Sequence, residues 1–141
     1  MKLILLLHLG ATLFMTGVIW FVQVVHYPLF SRVGGESFAI YESMHATLTT
    51  RVVFPAMMLE LFSAGLLLLS SKDEWRLWAG TLLLAIIWTS TMFVQVPMHS
   101  DLSVGFNATV HSALVETNWI RTVAWSIRSV LVLWIVADKL M

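Results

Sequence analysis

Cysteine is absent from this 141-residue chain, which excludes disulfides, iron–sulfur clusters and thiolate zinc sites. Charge is scarce: 11% of the residues are Asp, Glu, Lys or Arg, against roughly 25% in a soluble domain. Too few charges remain to coat a water-soluble surface. The eight basic and eight acidic residues cancel, so the chain lacks the electrostatic footprint of a nucleic-acid binder. What it does have is apolar. Hydrophobic residues make up 59%, with seven Trp and eight Phe, and the mean hydropathy is +0.87. That composition describes an integral membrane protein whose main partner is the lipid bilayer.

A helix crosses a bilayer in roughly 20 apolar residues, and four stretches reach that length. They run from about Leu3 to Val25, Val52 to Leu69, Leu77 to Val96, and Trp119 to Ala137. Lys2 ahead of the first could suggest a secretory leader, but the apolar run is too long and no A-x-A site follows it, so it reads as a membrane anchor. Adding the polar helix starts and the turn signals at Gly34-Gly35 and Gly105 predicts helices over 3–27, 37–70, 75–98 and 107–137. Pro28 is expected to end the first helix near His26, and Pro97 to sit near the end of the third. The expected fold is all-α: a single domain over 1–141, a bundle of four transmembrane helices.

Lys2, Lys72, Arg76 and Lys139 fall on one side of this arrangement and only Arg32 on the other, so both termini are expected in the cytoplasm. The tetrapeptide Phe-Val-Gln-Val occurs at Phe21–Val24 and again at Phe93–Val96, 72 residues apart. With a one-residue slip, His26 and His99, Leu29 and Leu102, and Val33-Gly34 and Val104-Gly105 follow each copy. This predicts two pseudo-symmetric helical hairpins, 3–70 and 75–137, related by an axis along the membrane normal.

In a bilayer, polar residues turn away from lipid, because an unmet polar group there costs several kcal/mol. Helical spacing gathers His8, Thr12, Gln23 and His26 on one face of the first helix, and Thr49, Glu60 and Ser63 on one face of the second. Trp88, Gln95 and His99 share a face of the third; His111, Asn118, Arg121, Trp125 and Arg128 share a face of the fourth. His26, His45, His99, Asn118 and Arg121 are expected to converge on one outer cavity. Neutral imidazole is the commonest metal ligand and a haem ligand. His26, His45, His99 and His111 are therefore candidates for a metal or haem, unless they simply hydrogen-bond to backbone, Glu and Tyr. Met44-His45 and Met98-His99, among eight methionines, would suit copper. No zinc signature is present. The cofactor thus stands open between haem, copper and none.

Depth pairs two charges. Glu60 lies 11 residues before Ser71 and Arg128 lies 11 before Lys139. At 1.5 Å per residue both are about 16 Å deep, near the middle of a roughly 30 Å core. The two helices run in the same direction, so a buried Glu60–Arg128 ion pair is expected. Arg51 and Arg121 can instead reach the outer surface, or bind an anionic or quinone-like oxygen there. Asn107-Ala108-Thr109 is a glycosylation sequon, meaningful only in a eukaryotic secretory setting.

The segments Phe21-Val-Gln-Val-Val-His-Tyr-Pro-Leu-Phe30, Val96-Pro-Met-His-Ser-Asp-Leu102 and Asn118-Trp-Ile-Arg-Thr-Val-Ala-Trp-Ser-Ile-Arg128 resemble small bacterial four-helix membrane proteins of largely unknown function, anthrone-oxygenase-like in motif layout. The resemblance implies a four-helix fold in a bacterial inner membrane and, by its better-described members, cofactor-independent oxidation of polycyclic phenols. It also implies a site of His99, Asn118 and Arg121 with Trp119 beside it as a ligand contact. Two functions follow as expectations. One is an outward-facing cavity that binds a small aromatic, quinone, haem or metal, with oxidoreductase or oxygenase activity. The other is a structural subunit that joins copies of itself or partner membrane subunits.

Overall fold

A computed structural model describes residues 1–140, with Leu140 described by its backbone; Met141, the last residue of the expected domain, lies outside the described residues. Four helices make up the described residues: α1 (Lys2–Arg32), α2 (Gly35–Ser70), α3 (Trp75–Leu102) and α4 (Ala108–Leu140). Each is long and apolar enough to cross a membrane. α2 and α4 have 36 and 33 residues, about 54 and 50 Å at 1.5 Å per residue, well beyond a roughly 30 Å hydrocarbon core. The outward faces of the helices carry large apolar side chains, such as Phe62 on α2, Phe93 on α3 and Val130 on α4, as lipid contact requires.

Two helix ends differ from expectation for one physical reason. Pro28 does not stop α1, nor Pro97 α3; both helices run on, to Arg32 and Leu102. In an α-helix the proline ring collides with the carbonyl four residues back. Here a π turn precedes each proline, Val22–His26 in α1 and Thr91–Gln95 in α3. Tyr27 N–H donates to the Val22 carbonyl and Val96 N–H to the Thr91 carbonyl, five residues back in each case. The widened turn lets the ring pass. Pro28 and Pro97 are 69 residues apart, as are the starts of the two π turns. The Phe-Val-Gln-Val copies, 72 apart, are three residues out of step with them. Gln23 and Gln95 nonetheless both point inward, 3% and 1% exposed, because three residues are close to one helical turn.

The connections at the end opposite the termini are short. Gly105, at φ 154°, reverses the chain, and the Asn107 side-chain carbonyl then accepts from the Thr109 and Val110 N–H groups at 3.0 and 3.1 Å, an N-cap for α4. The interior alternates apolar and polar layers along the bundle. Leu5, Leu67, Leu77 and Ile135 pack near the termini, Met15, Ile19, Met57, Ile87 and Trp125 in the middle, and Phe30, Phe38, Leu102 and Leu114 at the opposite end. Glu60 and Arg128 lie between the first two layers and touch, Arg128 Nη2 donating to Glu60 Oε1 at 3.1 Å. α1 packs closely on α2 and α4, and α3 on α4, whereas the α2–α3 seam is the loosest of the four.

At the termini Arg76 ties α3 to α4. It donates to Glu74 at 2.7 and 2.8 Å and to Asp138 at 2.5 Å, with the Trp134 ring 4.7 Å from its guanidinium. These bonds from Arg76 hold the Glu74 carboxyl below its ordinary value of 4.5. A depressed folded-state pKa contributes stability above the unfolded value and loses it as the pH falls through the folded one. Glu74→Gln should therefore cost up to about 1 kcal/mol at pH 7. In unfolding measurements in detergent, its difference from wild type should shrink as the pH drops below 4.5. A difference that stays constant down to full protonation would assign the effect to something other than this charge.

Candidate functional site

The loose α2–α3 seam opens, in the half of the bundle away from the termini, into a groove of about 390 Å³. Tyr27, His45, Thr49, Thr91, His99 and Arg121 line it, with Val53 and Val96 as apolar wall. The two π turns position much of this wall: one precedes Tyr27, and the other carries Thr91 and Gln95. π turns recur at functional sites because the displaced backbone re-aims side chains. A smaller cavity of about 70 Å³ continues beneath the groove, past Tyr27, Thr49 and Arg121, to Met57 and Trp125.

Arg121 organises the floor. It is 8% exposed, and every acceptor it reaches is formally neutral. Its Nε donates to Asn118 Oδ1 at 2.9 Å, and its Nη2 to the same oxygen at 2.5 Å, to Gln95 Oε1 at 3.2 Å and to the Tyr27 hydroxyl at 3.3 Å. Nη1 donates to Thr91 Oγ1 at 3.3 Å. Among the described residues no carboxylate lies in salt-bridge range of it. A second tier fixes the first: Asn118 Nδ2 donates to Gln23 Oε1 at 2.8 Å, Gln23 Nε2 to the Val115 carbonyl at 3.1 Å, and Gln95 Nε2 to Thr117 Oγ1 at 2.9 Å.

From Arg121 runs a line of hydrogen bonds that joins all four helices. Arg121 meets the Tyr27 hydroxyl, which lies 2.8 Å from His99 Nε2, and His99 Nδ1 bonds the carboxylate of Glu42. Glu42 is fully buried, and its second oxygen has no partner. With that carboxylate ionised, Nδ1 carries a proton and Nε2 accepts from Tyr27. His45 sits beside this line, its ring centroid 5.3 Å from that of His99, and its Nδ1 lies 2.8 Å from His26 Nε2 and 3.1 Å from Thr49 Oγ1.

His45, His99 and Arg121 thus share the groove wall. His26 reaches it only through its bond to His45, lining a separate apolar hollow with Phe21, Leu48 and Val52. Three other expected contributors stand apart. Asn118 is completely buried and outside the groove wall; its amide positions Arg121 and Gln23 and is not open to a ligand. Trp119 faces outward, 44% exposed, with its ring 5.7 Å from that of Trp20 and edge-on to it. One residue from Asn118, it is turned about 100° away from the interior. His111 donates from Nε2 to the Tyr27 carbonyl at 2.8 Å, closing the end of α1. Among the described residues no group of three or more His, Asp or Glu side chains is placed to hold a metal ion. Facing imidazole nitrogens of His26 and His45 bond each other, and His99 uses both of its own.

Glu42 and Tyr27 belong to this line of bonds although the polar stripes in the sequence do not single them out. Glu42 had a signal, its three-residue spacing to His45, which puts both on one helix face. No protein-family model matches the chain, and no curated protein and no solved structure matches it.

Proposed function

We propose that the protein resides in a bacterial inner membrane, termini in the cytoplasm, and binds a small lipophilic ring compound bearing an acidic or carbonyl oxygen. A quinone or a phenol has this chemistry. The observation that carries this reading is Arg121: a desolvated cation, bonded only to neutral acceptors, on the floor of an open groove. A charge costs up to roughly 2.5–3.5 kcal/mol on insertion scales, the figure for a helix centre, and an electron-rich ligand oxygen is the partner it lacks. The groove volume lies in the usual range for small-molecule sites. Its seam opens sideways between α2 and α3, which lets a ligand arrive from the lipid. The likeness to anthrone-oxygenase-like proteins supports an aromatic ligand and an oxygenase activity on it, with His99 and Arg121 at the reacting oxygen and Asn118 positioning Arg121.

The test is the spectrum and organic extract of gently solubilised protein. We expect a quinone or phenol in the extract, near one per chain, and saturable quenching of tryptophan fluorescence by a short-chain ubiquinone. A featureless extract, no quenching and a stable larger complex would instead assign the chain to a structural role in a membrane assembly.

A further inference from the structure

We propose that Glu42, His99 and Tyr27 form a proton relay that takes the hydroxyl proton of a phenolic ligand held against Arg121. The inference rests on the ligand-binding reading above and narrows it from ring compounds with an oxygen to ionisable phenols.

Three observations point to proton transfer. The first is the order of groups: carboxylate, imidazole, hydroxyl, guanidinium, each bonded to the next, with the Tyr27 hydroxyl and Arg121 both in the groove wall. An acceptor nitrogen on a hydroxyl, with a carboxylate fixing the opposite ring nitrogen, is the arrangement that lets imidazole accept a proton and hold it. The second is Glu42 itself. It is fully buried with one oxygen unpartnered, an uneconomical way to fix helix register, since buried polar groups that serve only structure are normally satisfied. As the counter-charge of an imidazolium that forms during the step, the same carboxylate is well placed. The third is the Tyr27 hydroxyl itself, which accepts from Arg121 Nη2 at 3.3 Å and lies 2.8 Å from His99 Nε2, so it can pass one proton on as it takes up another.

The step balances without an oxidant. The ligand O–H bond breaks, its electron pair stays on the ligand oxygen beside Arg121, and its proton forms a new O–H bond on Tyr27. The proton that Tyr27 held moves to His99 Nε2, and the imidazolium is neutralised by Glu42. Ligand phenol and neutral His99 become ligand phenolate and protonated His99. The other titratable groups around the relay are His26 on α1, Tyr41 and His45 on α2, and His111 on α4.

The probe is 4-nitrophenol, whose phenolate is yellow, added to the full-length protein in nanodiscs. The pH is set one unit below that at which the free compound ionises. Wild type should bind it as phenolate, the bound probe's pKa being lowered by about 1–3 units beside a cation, and should release almost no proton to the buffer, because His99 keeps it. Glu42→Gln removes the counter-charge but leaves an acceptor for His99 Nδ1; Tyr27→Phe removes the hydroxyl. In either variant the bound probe should stay colourless, or turn yellow with close to one proton released per ligand. Calorimetry in two buffers of different ionisation enthalpy counts that proton, and an unchanged unfolding temperature certifies each variant. Yellow probe with one proton released by wild type as well would mean that Arg121 alone ionises the ligand, and would overturn the relay. So would colourless binding by wild type, with the ligand reading intact. Absence of any binding, to 4-nitrophenol or to the short-chain quinone, would overturn both.

Discussion

Glu60→Gln should be the most damaging single polar substitution in the bundle, lowering stability by about 3–5 kcal/mol, the cost of breaking a buried ion pair from one side. Glu60 and Arg128 are 0% and 1% exposed. Once the carboxylate is gone, Arg128 keeps the Gly80 carbonyl as an acceptor, while its Nε already has no partner. Guanidinium cannot shed its proton, so the charge stays, stranded. Arg128→Met should cost less. It leaves a carboxyl group that still accepts from Trp125 Nε1 at 2.9 Å and that can neutralise itself by taking up a proton. The double replacement, Glu60→Gln with Arg128→Met, should come within about 2 kcal/mol of wild type, because exchanging both charges for neutral groups is often close to neutral. Thermal unfolding of all four proteins in one detergent gives this order. If Glu60→Gln alone were as stable as the double replacement, the pair would not be what holds these helices in register.

The depth count that brings Glu60 and Arg128 to one level needs only helix rise and chain direction, both readable from sequence. The four spans follow just as directly from apolar runs. The helix ends near the prolines did not, because a one-residue change in hydrogen-bond register, from four residues back to five, leaves no mark in composition. Glu42 escaped for a different reason. A carboxylate close to a connection is assigned to solvent by default, and only the approach of His99 from another helix makes it interior. The polar stripes correctly turned Gln23, Gln95 and Arg121 inward, since avoidance of lipid alone decides that. Whether a stripe residue lines a groove or supports one that does is a matter of tertiary packing. Asn118 and Arg121, three residues apart on one face, divide in that way.

That division sets the second large effect. Arg121→Met should reduce affinity for a short-chain quinone or phenol by about 10- to 100-fold, the loss of a charged hydrogen bond of roughly 1.5–3 kcal/mol. Its effect on stability should be small, because two costs oppose each other. Asn118 Oδ1 and Gln95 Oε1 lose a donor, at about 1–3 kcal/mol for each buried acceptor left unmet. Against that, a desolvated cation costing up to roughly 2.5–3.5 kcal/mol, the helix-centre figure, is removed. Arg121→Lys keeps the charge but cannot serve Asn118, Gln95, Thr91 and Tyr27 together, since an ammonium lacks the planar fork. It should bind with intermediate affinity and unfold earlier than Arg121→Met, retaining the cost of the charge while losing most of its bonds. Binding and unfolding are thus expected to rank the two variants in opposite orders. A residue that served the fold alone would rank them alike, and equal ranking would remove Arg121 from the ligand site.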